Sequence, residues 1–444
     1  MISKIVLDNF AAFGHFEFDL VENKTDKKAK QLAIVYGENG IGKTSLVRAV
    51  EFLKRTYIAL VATEEMAKIL GNFEKQEFLI NILKNSLADF RIDSIIKKRR
   101  RIGTNKELTQ LQFEIILEKK KYVYDISLDN YGINEEKLLC NGLLVFKATK
   151  KSLLVKDEFF LSDDIKEKLN SSFAMYFGDK YSFLSCIAFL RRSLSASFFD
   201  KAVSKELLLF MKELDDLVVV TRETFNMEAQ DFGVNNKSND FLPNYFRGQY
   251  SDKLNSKKEN TELALSMFFS SLYSNIRGVK YRIDADNNGN QSYTLCFVES
   301  KNDETALVPY DFESTGTKKL VFLFNNFYQI ATKDSVVFID EIDEGINDIL
   351  LRDIFNSLDE SIKGQLVVTT HNTLLLKHSI KKNIYLLDRG NDNEVCSYSL
   401  DEFGRKIQSG TDIIGQYLDG LYGGVPQSGS FSIKYIVEAL NNNE

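Results

Sequence analysis

The sequence predicts an α/β protein in which a mostly parallel sheet is joined to an antiparallel β subdomain and a helical insertion lobe. Three observations predict it. Leu32 to Tyr36 is a short apolar run that ends in a glycine turn, and an amphipathic helix opens directly after it. From Thr317 to Leu387 buried strands alternate with helices, the order that builds a parallel sheet with helices on its faces. Between these blocks, from Leu108 to Leu128, the apolar period becomes two, which marks an antiparallel hairpin.

In chain order, Ile2 to Leu7 and then Phe16, Phe18 and Leu20 alternate as strands, and 22–31 reads as a polar loop. After the glycine turn, Thr44 to Lys54 is helical, with Leu46, Val47, Val50 and Leu53 on one face. Residues 57–101 are helix-rich, with Leu79, Ile82, Leu83 and Leu87 at helical spacing, and end in the basic run Lys97 to Arg101. The hairpin turns at Lys119 to Lys121, and Gly142 to Ala148 adds a third strand. Helices are predicted over Ile165–Phe173, Phe183–Phe199, Lys205–Val219 and Thr261–Ile276, and 226–258 reads as a mobile loop. Val279 to Phe297 returns to strand. Helices over Thr317–Thr332 and Gly345–Ser361, strands over Ser335–Ile339 and Gln365–Thr369, a short helix at Thr373–His378 and a strand at Ile384–Leu387 complete the pattern. The expected division is 1–56, a first lobe; 57–105, a helical insertion; 106–158, the β subdomain; 159–278, a helical lobe; and 279–444, the second half of the first lobe.

Bulk properties exclude several classes. The net charge is −6, so any nucleic-acid contact needs a local basic patch. The four cysteines form no C-x-x-C pair and read as reduced thiols. No segment has the apolar length of a membrane span, and the N-terminus lacks a signal-peptide core, so a cytoplasmic protein without membrane contact is expected.

The chemistry concentrates at four places. Gly37-x-x-x-x-Gly42-Lys43-Thr44 is the full P-loop pattern, and its strand–turn–helix context suits it. Backbone N–H groups from Gly37 to Ser45, including those of Glu38, Asn39 and Gly40, would surround the phosphates of ATP. Lys43 would reach the β- and γ-phosphates, and Thr44 would hold Mg²⁺. Asp340 and Glu341 end an apolar strand; Asp340 would orient Mg²⁺ and Glu341 would polarise the attacking water. His371 ends the next strand and would sense the γ-phosphate. Ser314 and Gly316 open an amphipathic helix, where an anion site and an ordinary helix cap are both open readings until the order of the four motifs favours the first.

That order resembles the ABC-class ATPases, in the branch of the SMC-like and RecF-like proteins. GENGIGKTS is similar to their Walker A, ESTGTKKL to their signature, VVFIDEID to their Walker B and TTHN to their switch His; LDNFAAFGHFEFDL looks like their first strands. Asp343 falls at their D-loop. The signature departs from Leu-Ser-Gly-Gly-Gln, and no Q-loop glutamine is placed. The resemblance covers residues 1–55 and 305–390. It implies an ABC-type P-loop ATPase head that binds ATP and Mg²⁺. It also implies a head-to-tail homodimer in which Ser314 and Gly316 of one chain meet the nucleotide of the other, with higher oligomers open.

The segment Tyr417 to Pro426 resembles compact ATPases of prokaryotic anti-phage systems of the RloA and AriA (PARIS) types. These pair with a separate TOPRIM nuclease, which implies a separate effector chain here. Asp284 and Asp286, in DADNNGN, read as turn formers and not as a nuclease cluster. The run Lys97 to Arg101 could meet DNA or an acidic phage protein, or be a solvated surface. The alternative function is a RecF- or SMC-like repair ATPase that clamps DNA directly. A transporter ATPase subunit and a nucleotide-binding scaffold with little turnover are further readings.

Overall fold

The structure, a computed structural model, describes residues 1–23, 28–71, 91–104, 107–227, 240–301, 304–359, 361–378, 381–390, 392–402, 412–425 and 432–435. β1 (Ile2–Phe10) and β2 (Phe13–Asp19) pair antiparallel, with Ile5, Leu7, Phe16 and Phe18 buried. The stretch read as a loop contains a short pair, β3 (Val21–Asn23) with β4 (Lys28–Ala29). β5 (Leu32–Tyr36) runs into the glycine turn and α1 (Lys43–Gly71). The helix does not stop near Lys54, because Tyr57, Leu60 and Val61 prolong its buried stripe. The positions Leu79, Ile82, Leu83 and Leu87 lie outside the described residues. α2 (Ile92–Arg99) follows.

β6 (Thr109–Leu117), β7 (Lys120–Leu128), β8 (Ile133–Cys140), β9 (Leu143–Thr149) and β10 (Ser152–Val155) form a meander. β6 adds to β1, giving the antiparallel order β10-β9-β8-β7-β6-β1-β2. α3 (Asp163–Tyr176), α4 (Phe183–Ser193), α5 (Ala196–Ala202) and α6 (Lys205–Asp216) pack on this side. The run from Phe183 to Phe199 is two helices, because Ser195 accepts the Phe198 N–H and starts a second one. The helix predicted to reach Val219 also ends early. Leu217 leaves the helical conformation, and the β-branched Val218–Val220 form β11. α7 (Arg222–Met227) follows.

The loop predicted over 226–258 falls partly on 228–239, outside the described residues; its later part carries β12 (Arg247–Gln249). α8 (Asn255–Leu272) begins before the predicted Thr261. β13 (Ile276–Ala285), β14 (Gln291–Lys301) and β15 (Glu304–Pro309) make a small antiparallel sheet with β12. Asp286 accepts the N–H groups of Asn288 and Asn290, both at 2.8 Å, and so builds the turn between β13 and β14. The remaining elements are α9 (Thr315–Thr332), β16 (Val336–Ile339), α10 (Asp348–Asp359), β17 (Gln365–Thr369), α11 (Leu374–His378), β18 (Ile384–Arg389), β19 (Val395–Ser399) and α12 (Ile413–Leu418).

The parallel sheet has the order β11-β16-β17-β5-β18-β19, with only β19 antiparallel. Both faces are buried, which is why its strands read as continuous apolar runs. Ala33, Val35, Phe338 and Val367 face one core with α1 and the antiparallel sheet. Ile34, Tyr36, Ile339 and Val368 face the other with α9 and α10. Gln365 ties the two sheets together: its amide accepts the Ile2 N–H at 2.8 Å and donates to the carbonyls of Ile2 and Lys30 at 2.8 and 2.9 Å.

Glu136 on β8 is wholly buried at the start of α4 and accepts the N–H groups of Phe183 and Leu184 at 2.7 and 2.9 Å and the Tyr124 hydroxyl at 3.1 Å. Burial pushes its carboxyl up to about 7, and the three donors hold it from rising further. The folded state therefore binds a proton that the unfolded state has lost, so this group's contribution to stability declines as pH rises from the unfolded value towards 7. Glu136→Gln, a mimic of the protonated form, is expected to flatten that decline, by up to about 1.4 kcal/mol per pH unit. Denaturant unfolding of both proteins at pH 5, 6 and 7 checks it; parallel pH profiles would show that Glu136 is not the titrating group.

Candidate nucleotide site

The order of the parallel strands puts the C-terminal ends of β16, β17 and β5 side by side. These ends carry Asp340–Glu341, Thr370–His371 and the turn from Gly37. A sheet's carboxyl edge is where open α/β folds bind ligands.

The glycine turn is shaped by close approach. Gly37 and Gly42 have φ of +157° and +127°, and a Cβ on them would lie 3.0 Å from the Leu387 carbonyl and 2.8 Å from the Phe13 ring respectively. Gly40, also left-handed at +80°, has open space around it, next to exposed Asn39 and half-buried Glu38. The buried Lys43 ammonium donates to the carbonyls of Gly37 and Glu38 at 2.7 and 3.0 Å. Burial lowers its pKa, and the charges of Asp340, Glu341, Asp343 and Glu38 oppose that shift. Thr44 and Ser45 stand half-buried in the first turn of α1, whose leading N–H groups have no partner within the helix.

Asp340 is buried, and the Thr369 hydroxyl donates to its Oδ1 at 2.6 Å. The same hydroxyl oxygen accepts the Glu341 N–H at 2.8 Å. Glu341 is left-handed at φ 47°, a strained conformation for a residue with a side chain. Its carbonyl accepts from the Lys319 ammonium at 2.7 Å, and Lys319 also reaches the Glu344 carbonyl at 3.1 Å. Thr369 and Lys319 therefore over-determine the turn that aims the Glu341 carboxylate.

His371 lies at the exposed rim. Its N–H donates to Asp343 Oδ2 at 3.1 Å, and desolvation together with the Lys43 charge pushes its imidazole below the ordinary value, favouring the neutral ring at pH 7. The other oxygen of Asp343 is buried without a hydrogen-bond partner among the described residues. Asn372 fixes the turn into α11 by donating to the Asp348 carbonyl at 3.1 Å and accepting the Leu374 N–H at 2.9 Å.

Ser314 is exposed and caps α9. Its oxygen accepts the Thr317 N–H at 3.1 Å and shares a 2.9 Å hydrogen bond with the Thr317 hydroxyl. The cap reading is thus realised in this chain. Gly316 is buried, and a Cβ on it would lie 2.0 Å from the Gly345 carbonyl, so within its own chain it serves contact between α9 and the turn after Asp343. Lys119 to Lys121 are largely engaged on the surface: Lys120 pairs with Glu206 at 2.6 Å and Lys121 with Glu114 at 2.7 Å.

The tail packs beneath the glycine turn. The Tyr36 and Tyr417 rings meet edge to face at 5.8 Å, the Tyr417 hydroxyl donates to the Gly424 carbonyl at 3.3 Å, and a Cβ on left-handed Gly424 would lie 3.5 Å from the Gly37 Cα.

A family model described as "AAA domain, putative AbiEii toxin, Type IV TA system" matches residues 32–377. The chain belongs to this family. Within this AAA-domain family, the strand order and the motifs on it are those of a P-loop ATPase head. No curated protein matches the chain. Solved structures that resemble it include three SMC heads. One, bound to the C-winged helix domain of ScpA, has 14% identity and a TM-score of 0.49 over 90% of this chain and 99% of that one. The head from Thermotoga maritima has 12% identity and 0.39 over 90% and 98%. A head with an extended coiled coil bound to the C-terminal domain of ScpA, from Pyrococcus furiosus, has 14% and 0.42 over 90% and 97%.

The donor set fits Mg²⁺ and ATP. The glycine cradle and leading N–H groups suit phosphates, and Thr44 with Asp340 supplies two hard oxygens, few enough that the phosphates and water must complete a magnesium shell. Thr369 and Lys319 were not singled out by motif. Lys319 had a signal, because it shares a helical face with Leu323 and Ile330. Lys319→Met is expected to orphan the Glu341 and Glu344 carbonyls, lowering stability by about 1–3 kcal/mol and ATP turnover with it. Thermal unfolding and steady-state phosphate release check this; a variant as active and as stable as the parent would remove Lys319 from the turn's support.

Proposed function

We propose that this chain is an ATP-hydrolysing clamp that closes as a head-to-tail homodimer and serves as the regulatory ATPase of a prokaryotic anti-phage system with a separate TOPRIM-type nuclease. The observation that carries the clamp is the convergence of the Gly37–Ser45 turn, Asp340–Glu341 and His371 on three adjacent strand ends. Bound MgATP supplies the phosphoanhydride bond and the charge that the site is built to hold.

The chain's own residues do the rest. The turn and Lys43 bind and orient phosphates, and Thr44 and Asp340 hold the metal. Glu341, aimed by Thr369 and Lys319, takes a proton from water, and neutral His371 offers a hydrogen bond at the γ-phosphate position. Ser314 stands at an exposed helix N-terminus, and in a head-to-tail pair it would meet the nucleotide of the second copy. Asp343, with one buried oxygen unpartnered, lies between His371 and the Gly345–Gly316 contact and would couple the two.

The regulatory role draws on the family, which is named for a toxin of a type IV toxin–antitoxin system, and on the tail segment Tyr417 to Gly424. A separate nuclease is consistent with Asp286 being spent on its own turn. Among the described residues no helix is long and apolar enough to cross a membrane.

The test is the mass of Glu341→Gln protein with and without ATP and Mg²⁺, co-expressed with the product of the neighbouring gene. A complex holding that product is the expected result. A homodimer alone, strengthened by DNA, would replace the regulatory reading with a DNA clamp. No response of mass to ATP would remove the clamp itself.

A further inference from the structure

A cavity lies further along α1, the helix that begins in the P-loop. α1 presents Arg48, Glu51 and Arg55 on one stripe, α2 faces it with Lys98 and Arg99, and Glu223 of α7 closes the third side. Buried Phe52 and Ile95 complete the lining. The space is about 390 Å³, within the usual range of small-ligand sites.

Its lining is rich in guanidinium groups. Among the described residues, four cations (Arg48, Arg55, Lys98 and Arg99) and two carboxylates (Glu51 and Glu223) line it. Both carboxylates are engaged: Glu51 with Arg55 at 2.7 Å and Glu223 with Arg48 at 3.0 Å. Arg99 is half-buried, and among the described residues its guanidinium makes no hydrogen bond or ion pair. The Nε of Arg48 is buried and has no acceptor among the described residues either. Burial and the neighbouring Arg48 and Arg55 charges push the Arg99 guanidinium below its ordinary value, against the opposing charges of Glu223 and Glu51.

Unsatisfied guanidinium donors beside an open cavity are costly until an acceptor fills it. Two other guanidiniums of the basic run have partners. Arg101 grips Glu394 in a fork at 2.8 and 2.9 Å, and Arg100 donates to Asn130. Of this run, Arg99 is the guanidinium that lines the cavity with no side-chain partner among the described residues.

We infer that the cavity between α1 and α2 binds a terminal phosphate, that of a nucleotide or of a nucleic-acid end, with Arg99 as its principal donor and Arg48 and Arg55 beside it. A phosphate monoester brings negative charge and three acceptor oxygens, which suit the open guanidinium donors of Arg99 and Arg48. The apolar lining from Phe52 and Ile95 suits the attached base or sugar better than it suits bare phosphate. Because α1 begins at Lys43, an occupant touching Arg48 and Arg55 bears on the helix that carries the P-loop.

The test uses the full chain with its P-loop disabled by Lys43→Ala, so it does not depend on ATP hydrolysis. Binding of AMP is measured by calorimetry. Binding of a fluorescein-labelled single-stranded oligonucleotide, with a 5′-phosphate or a 5′-hydroxyl, is measured by anisotropy. The expected result is that AMP or the 5′-phosphorylated strand binds, and that Arg99→Leu weakens it at least tenfold while the melting temperature holds or rises. AMP binding alone identifies a free nucleotide as the ligand, and preference for the phosphorylated strand identifies a nucleic-acid end. Should Arg99→Leu fail to fold, Arg99→Lys takes its place, with a threefold or greater loss expected because the fork is gone. Binding unchanged in the Arg99 variant, or no binding by any probe at millimolar concentration, overturns the proposal.

Discussion

Glu341→Gln is expected to slow ATP turnover by about two to four orders of magnitude while leaving ATP binding intact. The substitution keeps the side chain's length and its amide can still hydrogen-bond water, but it cannot take a proton. Nothing that holds the turn is lost. The Glu341 N–H still meets Thr369 and its carbonyl still meets Lys319, because both contacts are made by backbone atoms. The phosphate-binding groups lie on a different strand and are untouched. A protein that binds but does not turn over should accumulate in the closed, ATP-bridged form, and its mass should double when ATP and Mg²⁺ are added. Phosphate release at wild-type rate would show that another group takes the proton. Slow turnover with weakened ATP binding would point to a collapsed turn, which an Asp343→Asn control separates, since Asp343 holds the His371 N–H and not Glu341.

Much of this site could be read from the sequence because its parts are contiguous. The spacing Gly37 to Thr44 is local, the apolar strands ending in Asp340–Glu341 and Thr370–His371 are buried on both faces, and parallel order brings such ends together. What was not legible depends on contacts between distant residues. Thr369 looks like any β-branched strand residue until β17 is placed beside β16, where its hydroxyl meets Asp340. Val218–Val220 is three residues appended to a helical block and becomes a strand only because β16 offers it an edge. The Phe183–Phe199 run has helical spacing throughout, and a serine cap, not its apolar pattern, divides it. The basic run Lys97 to Arg101 reads as one patch, but Arg99 ends α2 facing the cavity, while Arg100 and Arg101 lie beyond the helix end and reach Asn130 and Glu394. Charge composition cannot distinguish these fates.

Gly316→Ala separates two roles that the signature position could have. A Cβ there would sit 2.0 Å from the Gly345 carbonyl, and the obstacle is backbone, so it cannot rotate away. Gly345 is itself left-handed at φ +76°, which limits how far that turn can yield. Either α9 or the turn after Asp343 must move, at a cost of about 1–3 kcal/mol for an overpacked contact. The displaced turn carries Asp343, which holds the His371 N–H, and ends four residues after Glu341. A shift of even about 1 Å at the reacting groups is worth on the order of a hundredfold in rate. The expected result is therefore a lower melting temperature in the absence of nucleotide, together with a deep loss of ATP turnover. If the variant melts like the parent but no longer associates with ATP, Gly316 acts at the face presented to a second copy and the intrachain contact has room to spare. If it melts lower and still associates, the packing of α9 on this turn supports the fold without setting the clamp. Loss of both is the outcome this geometry predicts, because the helix that presents Ser314 and the turn that follows Glu341 are pressed together through this one glycine.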